Sequence, residues 1–238
     1  MVTYRSGSQN LKHFDKKVVP GIILLLILFV LLSPASQGIA WAQFTIARLK
    51  YGGGGDWYND PTAIPNLARE VNRRTTVEVS EEEAVVDLKG PEIFRYPFVF
   101  MTGHGNIKFT EEEAKRLRSY LIHGGFLYAD DDYGMDTAFR REMKKVFPDK
   151  EFVELPFNFP IYHTFYDFPD GLPKIHKHSG KPPQGFGIFH EGRLVVFYTY
   201  ESNISDGWVD PQVHGDPPEK REEAFRMGIN IITYVLMN

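Results

Sequence analysis

The sequence predicts a three-layer α/β sandwich with a mainly parallel sheet and an antiparallel hairpin. Two stretches carry that prediction. The first runs from Phe98 to Asp132 and reads as strand, polar loop, helix, strand, polar loop, which is one βαβ unit. The second is the pair Phe186–His190 and Leu194–Tyr200 around Glu191-Gly192, whose spacing is that of a tight hairpin. A right-handed crossover brings the two polar loops of the βαβ unit to the same sheet edge, at the carboxyl ends of parallel strands. In open α/β sheets ligands bind at that edge.

The elements follow in order. Phe44 to Leu49 alternates and is β-branched, as a first strand should be, and it runs into Tyr51 and four consecutive glycines before Asp56-Trp57. No Gly-Lys-Ser/Thr follows the glycines, and their spacing is not that of a dinucleotide site. They read instead as a turn, or as backbone that closely approaches a ligand or a neighbouring loop. Pro61 to Arg74 has an apolar stripe of Ile64, Leu67, Ala68 and Val71, with Asp60 as its expected N-cap. Thr75 to Val79 reads as a second strand, and Val85 to Leu88 as a short extended piece.

Phe98 to Met101 is continuously apolar, as a parallel strand buried on both faces requires. It ends at Thr102-Gly103-His104-Gly105. Thr110 and Glu113 have capping-box spacing, and Glu111 to Glu113 suit the positive end of the helix dipole. Gly124-Gly125 stops that helix, and Phe126 to Ala129 begins a strand that ends in Asp130, Asp131 and Asp132. Asp136 is the expected cap of a helix to Phe147, and Phe152 to Leu155 is an expected strand. The segment 156–183 is rich in proline, histidine and aromatics, and it is long enough to be a lid or binding loop. A helix from about Pro217 to Met237 closes the chain.

Residues 1–42 have the layout of a secretory signal or an N-terminal membrane anchor. Lys12, Lys16 and Lys17 precede the 12-residue apolar run Gly21–Leu32, and Ala40-Trp41-Ala42 is a small-x-small cleavage site. The expected division is therefore 1–42 as leader and 43–238 as a single α/β domain. Such a domain would be exported, periplasmic or held at the inner membrane facing outward, touching the membrane only through its N-terminal segment. The leader carries Arg5, Lys12, Lys16, Lys17 and Asp15, a net +3, so the formal −4 of the 238-residue chain becomes −7 for residues 43–238. A domain so acidic, without a basic cluster, is not expected to bind nucleic acid. The chain contains no cysteine, which excludes a thiol nucleophile, disulfides and thiolate metal sites.

Four loops are expected to meet at the carboxyl edge. They carry Asp56 and Trp57; His104; Asp130, Asp131, Asp132 and Tyr133; and Glu201, Asp206, Trp208, Asp210 and His214. Carboxylates and histidines together suit a divalent cation or acid–base chemistry. His104 with Asp131 is the expected catalytic pair, and His104, Asp131 and Asp132 are the expected metal ligands. Three consecutive aspartates cannot all face one way, so one should cap the next helix and one should hold the loop. Asp131 or Asp132 is expected to face the crevice. His163 is a further ligand-binding candidate under the aromatic segment. His176 and His178, flanked by lysines, read as exposed. Ser202 and Ser205 leave a Ser–His–Asp triad open, although neither sits in a nucleophile turn.

The stretches FVFMTGHG, FTEEEAKRLRSYLIHGGFLYADDDYGMD, FRREMKKVFP, PIYHTFYDF, PPQGFGIF and RLVVFYTYESNISDGWVD together resemble the bacterial family known as domain of unknown function 4159. The resemblance spans nearly all of residues 43–238. It implies a flavodoxin-like fold similar to class I glutamine amidotransferases and their ThuA-like relatives. Those enzymes use a cysteine nucleophile that this chain lacks, so the resemblance implies the fold and no reaction. It also implies an association with cell-envelope modules encoded beside MoxR-type ATPases and von Willebrand A proteins. Three functions are therefore open: an envelope domain that binds a small molecule or protein partner, a metal-assisted hydrolase of an envelope saccharide or small molecule, and a structural subunit.

Overall fold

The computed structural model describes residues 43–238 and the isolated Thr3. The expected signal or anchor segment lies outside the described residues. Short runs of alternating large and small apolar residues build the sheet, and the alternation decides which layer each side chain enters. In strand β3 (Phe98–Met101), Phe98 and Phe100 point to one face while Val99 and Met101 point to the other. Strand β4 (Phe126–Asp130) repeats this, with Phe126 and Tyr128 on the first face and Leu127 and Ala129 on the second. Every one of these side chains is fully buried. A strand covered on both faces needs a helical layer on each side.

Those layers are present. Helix α1 (Ala63–Arg74) and the C-terminal helix α4 (Pro218–Met237) pack on the face that carries Phe98, Phe100 and Tyr128. Helices α2 (Glu111–Ile122) and α3 (Asp136–Val146) cover the opposite face. The seven strands lie in the order β2-β1-β3-β4-β7-β6-β5, with β1 Ile46–Lys50, β2 Ala84–Asp87, β5 Val153–Glu154, β6 Gln184–His190 and β7 Arg193–Tyr200. Strands β2, β1, β3, β4 and β7 run parallel. Strand β6 is antiparallel to both of its neighbours. The chain moves outward from β1 to β2 and then returns to place β3 on the other side of β1. This reversal opens a crevice at the carboxyl ends of β1 and β3.

Local chemistry explains the boundaries. Thr110 Oγ1 accepts from the Glu113 backbone N–H at 3.2 Å while Glu113 Oε2 accepts from the Thr110 N–H at 2.8 Å, so the capping box of α2 is complete. The β6–β7 turn places Glu191 and Gly192 at φ 49° and 82°, the mirror-image turn that matches strand twist.

Several expected elements differ. Thr75–Val79 is not a strand; only Val79 bridges to Phe44. The Asn72 side-chain amide takes both the N–H and the C=O of Val79, which removes the groups a ladder would use. The short piece at 85–88 is instead the edge strand β2. Asp60 does not cap α1, which starts without a side-chain cap, and Asp136 is the first residue of α3 rather than its cap. The strand expected at 152–155 shortens to the pair Val153–Glu154. Among the described residues, no helix is long and apolar enough to cross a membrane.

Candidate functional site

The glycine run after β1 exists because two loops must touch. Gly55 N–H donates to Asn106 O at 2.9 Å, and Lys108 N–H donates to Gly52 O at 2.8 Å. A Cβ on Gly55 would lie 2.7 Å from His104 O, so only glycine lets the loops close. This contact carries Asp56 to the His104 loop. Asp56 accepts from the His104 backbone N–H, and its second oxygen lies 3.0 Å from His104 Nδ1. The ring is thereby oriented with Nε2 at 3.4 Å from Asp132 Oδ2.

The three aspartates after β4 divide their tasks. Asp130 is fully buried and accepts from Ser205 N–H at 2.6 Å, from Ser205 Oγ at 2.7 Å and from Thr199 Oγ1, which ties β4 to the loop after β7. Asp131 accepts from Met135 N–H at 2.8 Å and so steadies the start of α3. Asp132 alone turns into the crevice, where Asn203 Nδ2 donates to it at 2.9 Å and Asn59 Nδ2 also reaches it.

There Asp132 meets Asp60 and Asp206. One carboxylate oxygen from each lies within 4.8 Å of the others, and the three residues are only 2% exposed. At an effective dielectric of about 20, each pair of such charges repels by roughly 3 kcal/mol or more. Among the described residues, the ion-pair partners of these three acids are all histidines: His104, His176 and His214. Nearby Arg48 directs its guanidinium to the backbone carbonyls of Asn59 and Asp60 and to Glu83. Burial, and then the neighbouring acids, hold the Asp132 carboxyl well above the usual range. Burial also raises Asp206, with Asp60 and Asp130 adding to the effect. Burial pushes Asp131 up to about 6. For His104, burial works downward, but the carboxylates of Asp132 and Asp56 outweigh it and raise the net value.

A second group meets the first in Asp206. His176, Asp206 and His214 also bring one ligand atom each to within 4.8 Å of one another. Among the described residues, the buried side-chain polar atoms without a hydrogen-bond partner are Asp206 Oδ1 and Asn203 Oδ1, both in this crevice.

Other expected site residues lie elsewhere or act indirectly. Trp208 is buried in the core against Phe100 and Tyr128, and its Nε1–H donates to Ala224 O at 2.8 Å. Glu201 pairs with Lys174 at 2.9 Å and accepts from Ser179, so it pins the 174–181 segment. His163 bonds Asp167 and, at 2.7 Å, Phe157 O. Tyr133 is exposed and stacks on His178 with ring centroids 4.4 Å apart. Ser202 and Ser205 are fully buried, and each donates to a structural acceptor. Asp60 enters the site through a left-handed backbone, φ 54°, that no local pattern announces. His176, read from its lysine neighbours as exposed, is drawn inward when Ile175 N–H bonds Ser202 O at 2.8 Å.

Fold and crevice together define a flavodoxin-like α/β domain with a buried acidic cluster at its sheet edge. A family model matches residues 45–236, and the chain belongs to that family, described as Domain of unknown function (DUF4159). No curated protein matches the chain.

Proposed function

We propose that the crevice binds a divalent cation through Asp60, Asp132 and Asp206 and presents it to a small anionic or hydroxyl-bearing ligand. One observation carries this reading: three mutually repelling, buried carboxylates with no lysine or arginine paired to them among the described residues. Oxygen donors alone suit a hard cation such as magnesium, manganese or calcium. The test uses the full chain, comparing metal content and thermal stability across a divalent-cation series with those of Asp132→Asn and Asp206→Asn. Saturable stabilisation that both variants lose supports the reading. No bound cation and no stabilisation in the unsubstituted chain overturns it.

A second reading, metal-assisted hydrolysis, is favoured by His104. Its side chain is 50% exposed, is oriented by Asp56 at 3.0 Å, and faces Asp132. Such an imidazole suits a general base that takes a proton from water at Nε2, while a bound cation would supply Lewis acidity. Turnover of a panel of phosphate, carboxylate and glycoside esters that His104→Ala abolishes would support it. Binding without turnover leaves the domain a receptor. We also place the domain outside the cytoplasm, on the strength of the N-terminal segment. Activity of an alkaline phosphatase fusion joined after residue 42 tests this.

A further inference from the structure

We infer that the crevice holds two cations, the second at His176, His214 and Asp206, with Asp206 bridging the pair. The inference rests on the cation reading above and extends it. Asp206 belongs to both ligand groups: the all-oxygen group with Asp60 and Asp132, and the nitrogen-bearing group with His176 and His214. A carboxylate shared between two such groups is how paired metals are held about 3.5–4 Å apart in two-metal hydrolytic sites.

Independent features support a ligand role for the second group. Asp206 is 2% exposed, yet its Oδ1 has no hydrogen-bond partner and lies 3.9 Å from His214 Nε2. Asn203 is fully buried, donates to both Asp132 and Asp206, and leaves its own Oδ1 unpartnered. A native domain rarely buries two orphan acceptors without a cation or donor to satisfy them. His176 Nε2 lies 2.9 Å from Asp216 Oδ1 while its Nδ1 faces Asp206 at 2.7 Å. That arrangement, a carboxylate on the far ring nitrogen, orients a ligating histidine. His104 repeats it, with Asp56 behind and Asp132 in front. The alternative for His176 is an imidazolium salt-bridged to Asp206 and Asp216.

The donor sets differ, and so should their preferences. Imidazole nitrogens favour zinc, cobalt or manganese over calcium and magnesium, so the second position should select the softer ion. Manganese suits both sets, and its electron spin reports proximity.

The experiment titrates the metal-stripped full chain with manganese and follows stoichiometry by calorimetry and coupling by electron paramagnetic resonance. Two equivalents per chain, with an exchange-coupled spectrum appearing at the second, are expected. His176→Ala, or the milder His176→Gln, should lower the count from two to one and leave only the uncoupled signal. One equivalent in the unsubstituted chain, unchanged in His176→Ala, overturns the second position and leaves the cation reading standing. No bound manganese, and no other divalent cation bound, removes both. Two equivalents without coupling overturn the bridge by Asp206.

Discussion

Two buried acids, Glu142 and Asp206, show what the crevice lacks. Glu142 on α3 is 1% exposed, as hidden as Asp206. Lys145 lies 2.7 Å from its Oε2, Arg141 2.8 Å from its Oε1, and the Phe109 N–H donates to it at 2.7 Å. Burial alone would raise Glu142, but these donors outweigh it and hold the carboxyl below the usual range. In the crevice the same burial meets other acids in place of cations, and Asp132 and Asp206 move the opposite way. Burial alone therefore does not decide a carboxylate's state; cationic donors such as Lys145 and Arg141 can reverse its effect, as they do at Glu142. Glu142 fastens α3 to the loop before α2. Among the described residues, the crevice acids have only histidines as ion-pair partners.

The sharpest way to break this contrast is Asp206→Asn. The amide keeps one acceptor oxygen and places a donor where Oδ1 has no partner. Without added cations, unfolding in urea should show this variant at least as stable as the unsubstituted chain. Added manganese at a hundredfold excess over Kd should stabilise the unsubstituted chain by about 2.7 kcal/mol for each ion bound, and the variant by none of it. Glu142→Gln should behave oppositely, losing about 2 kcal/mol in urea because it weakens charge-assisted bonds to Lys145 and Arg141, with the manganese effect intact. If both variants destabilise equally, the two sites do not differ in kind.

The pH dependence sharpens the same point. Folded Asp132 and Asp206 hold protons that the unfolded chain releases near pH 4, where the ordinary Asp value lies at about 3.9. Stability in a chelator should therefore fall as pH rises above that value, by up to about 1.4 kcal/mol per pH unit for each group. Saturating cation should flatten the fall, since it binds the deprotonated carboxylates, and its affinity should rise with pH. Denaturation midpoints measured from pH 5 to 9, with and without manganese, check both signs. The smallest effect belongs to Asp131→Ala. Losing the acceptor for Met135 N–H should cost about 1 kcal/mol in urea and leave cation binding unchanged.

Legibility followed distance along the chain. The capping box at Thr110 and Glu113, the Glu191-Gly192 turn and the apolar strands of the βαβ unit rest on contacts a few residues apart, and composition encodes them. The division of labour among Asp130, Asp131 and Asp132 was legible as a necessity, because three neighbours cannot share one direction. Which aspartate faces the crevice was not, for it depends on Ser205, Thr199 and Asn203 arriving from β7. The strand expected at Thr75–Val79 failed on one side chain, Asn72, whose amide satisfies the backbone that a ladder would have used.

The sequence by itself determined the layer architecture, the sheet edge where the polar loops gather and the absence of any thiol chemistry, since these follow from periodicity and composition. Only the tertiary structure decided which residues meet in the crevice. Asp60 and His214 stand 154 positions apart and lie 3.3 Å from each other in the crevice. Asp60 arrives there on a left-handed backbone and His176 on a segment pinned by Lys174 and Glu201. Carboxylates so separated in sequence carry no local sign that they will be buried together. Their mutual repulsion exists only once the fold has closed around them.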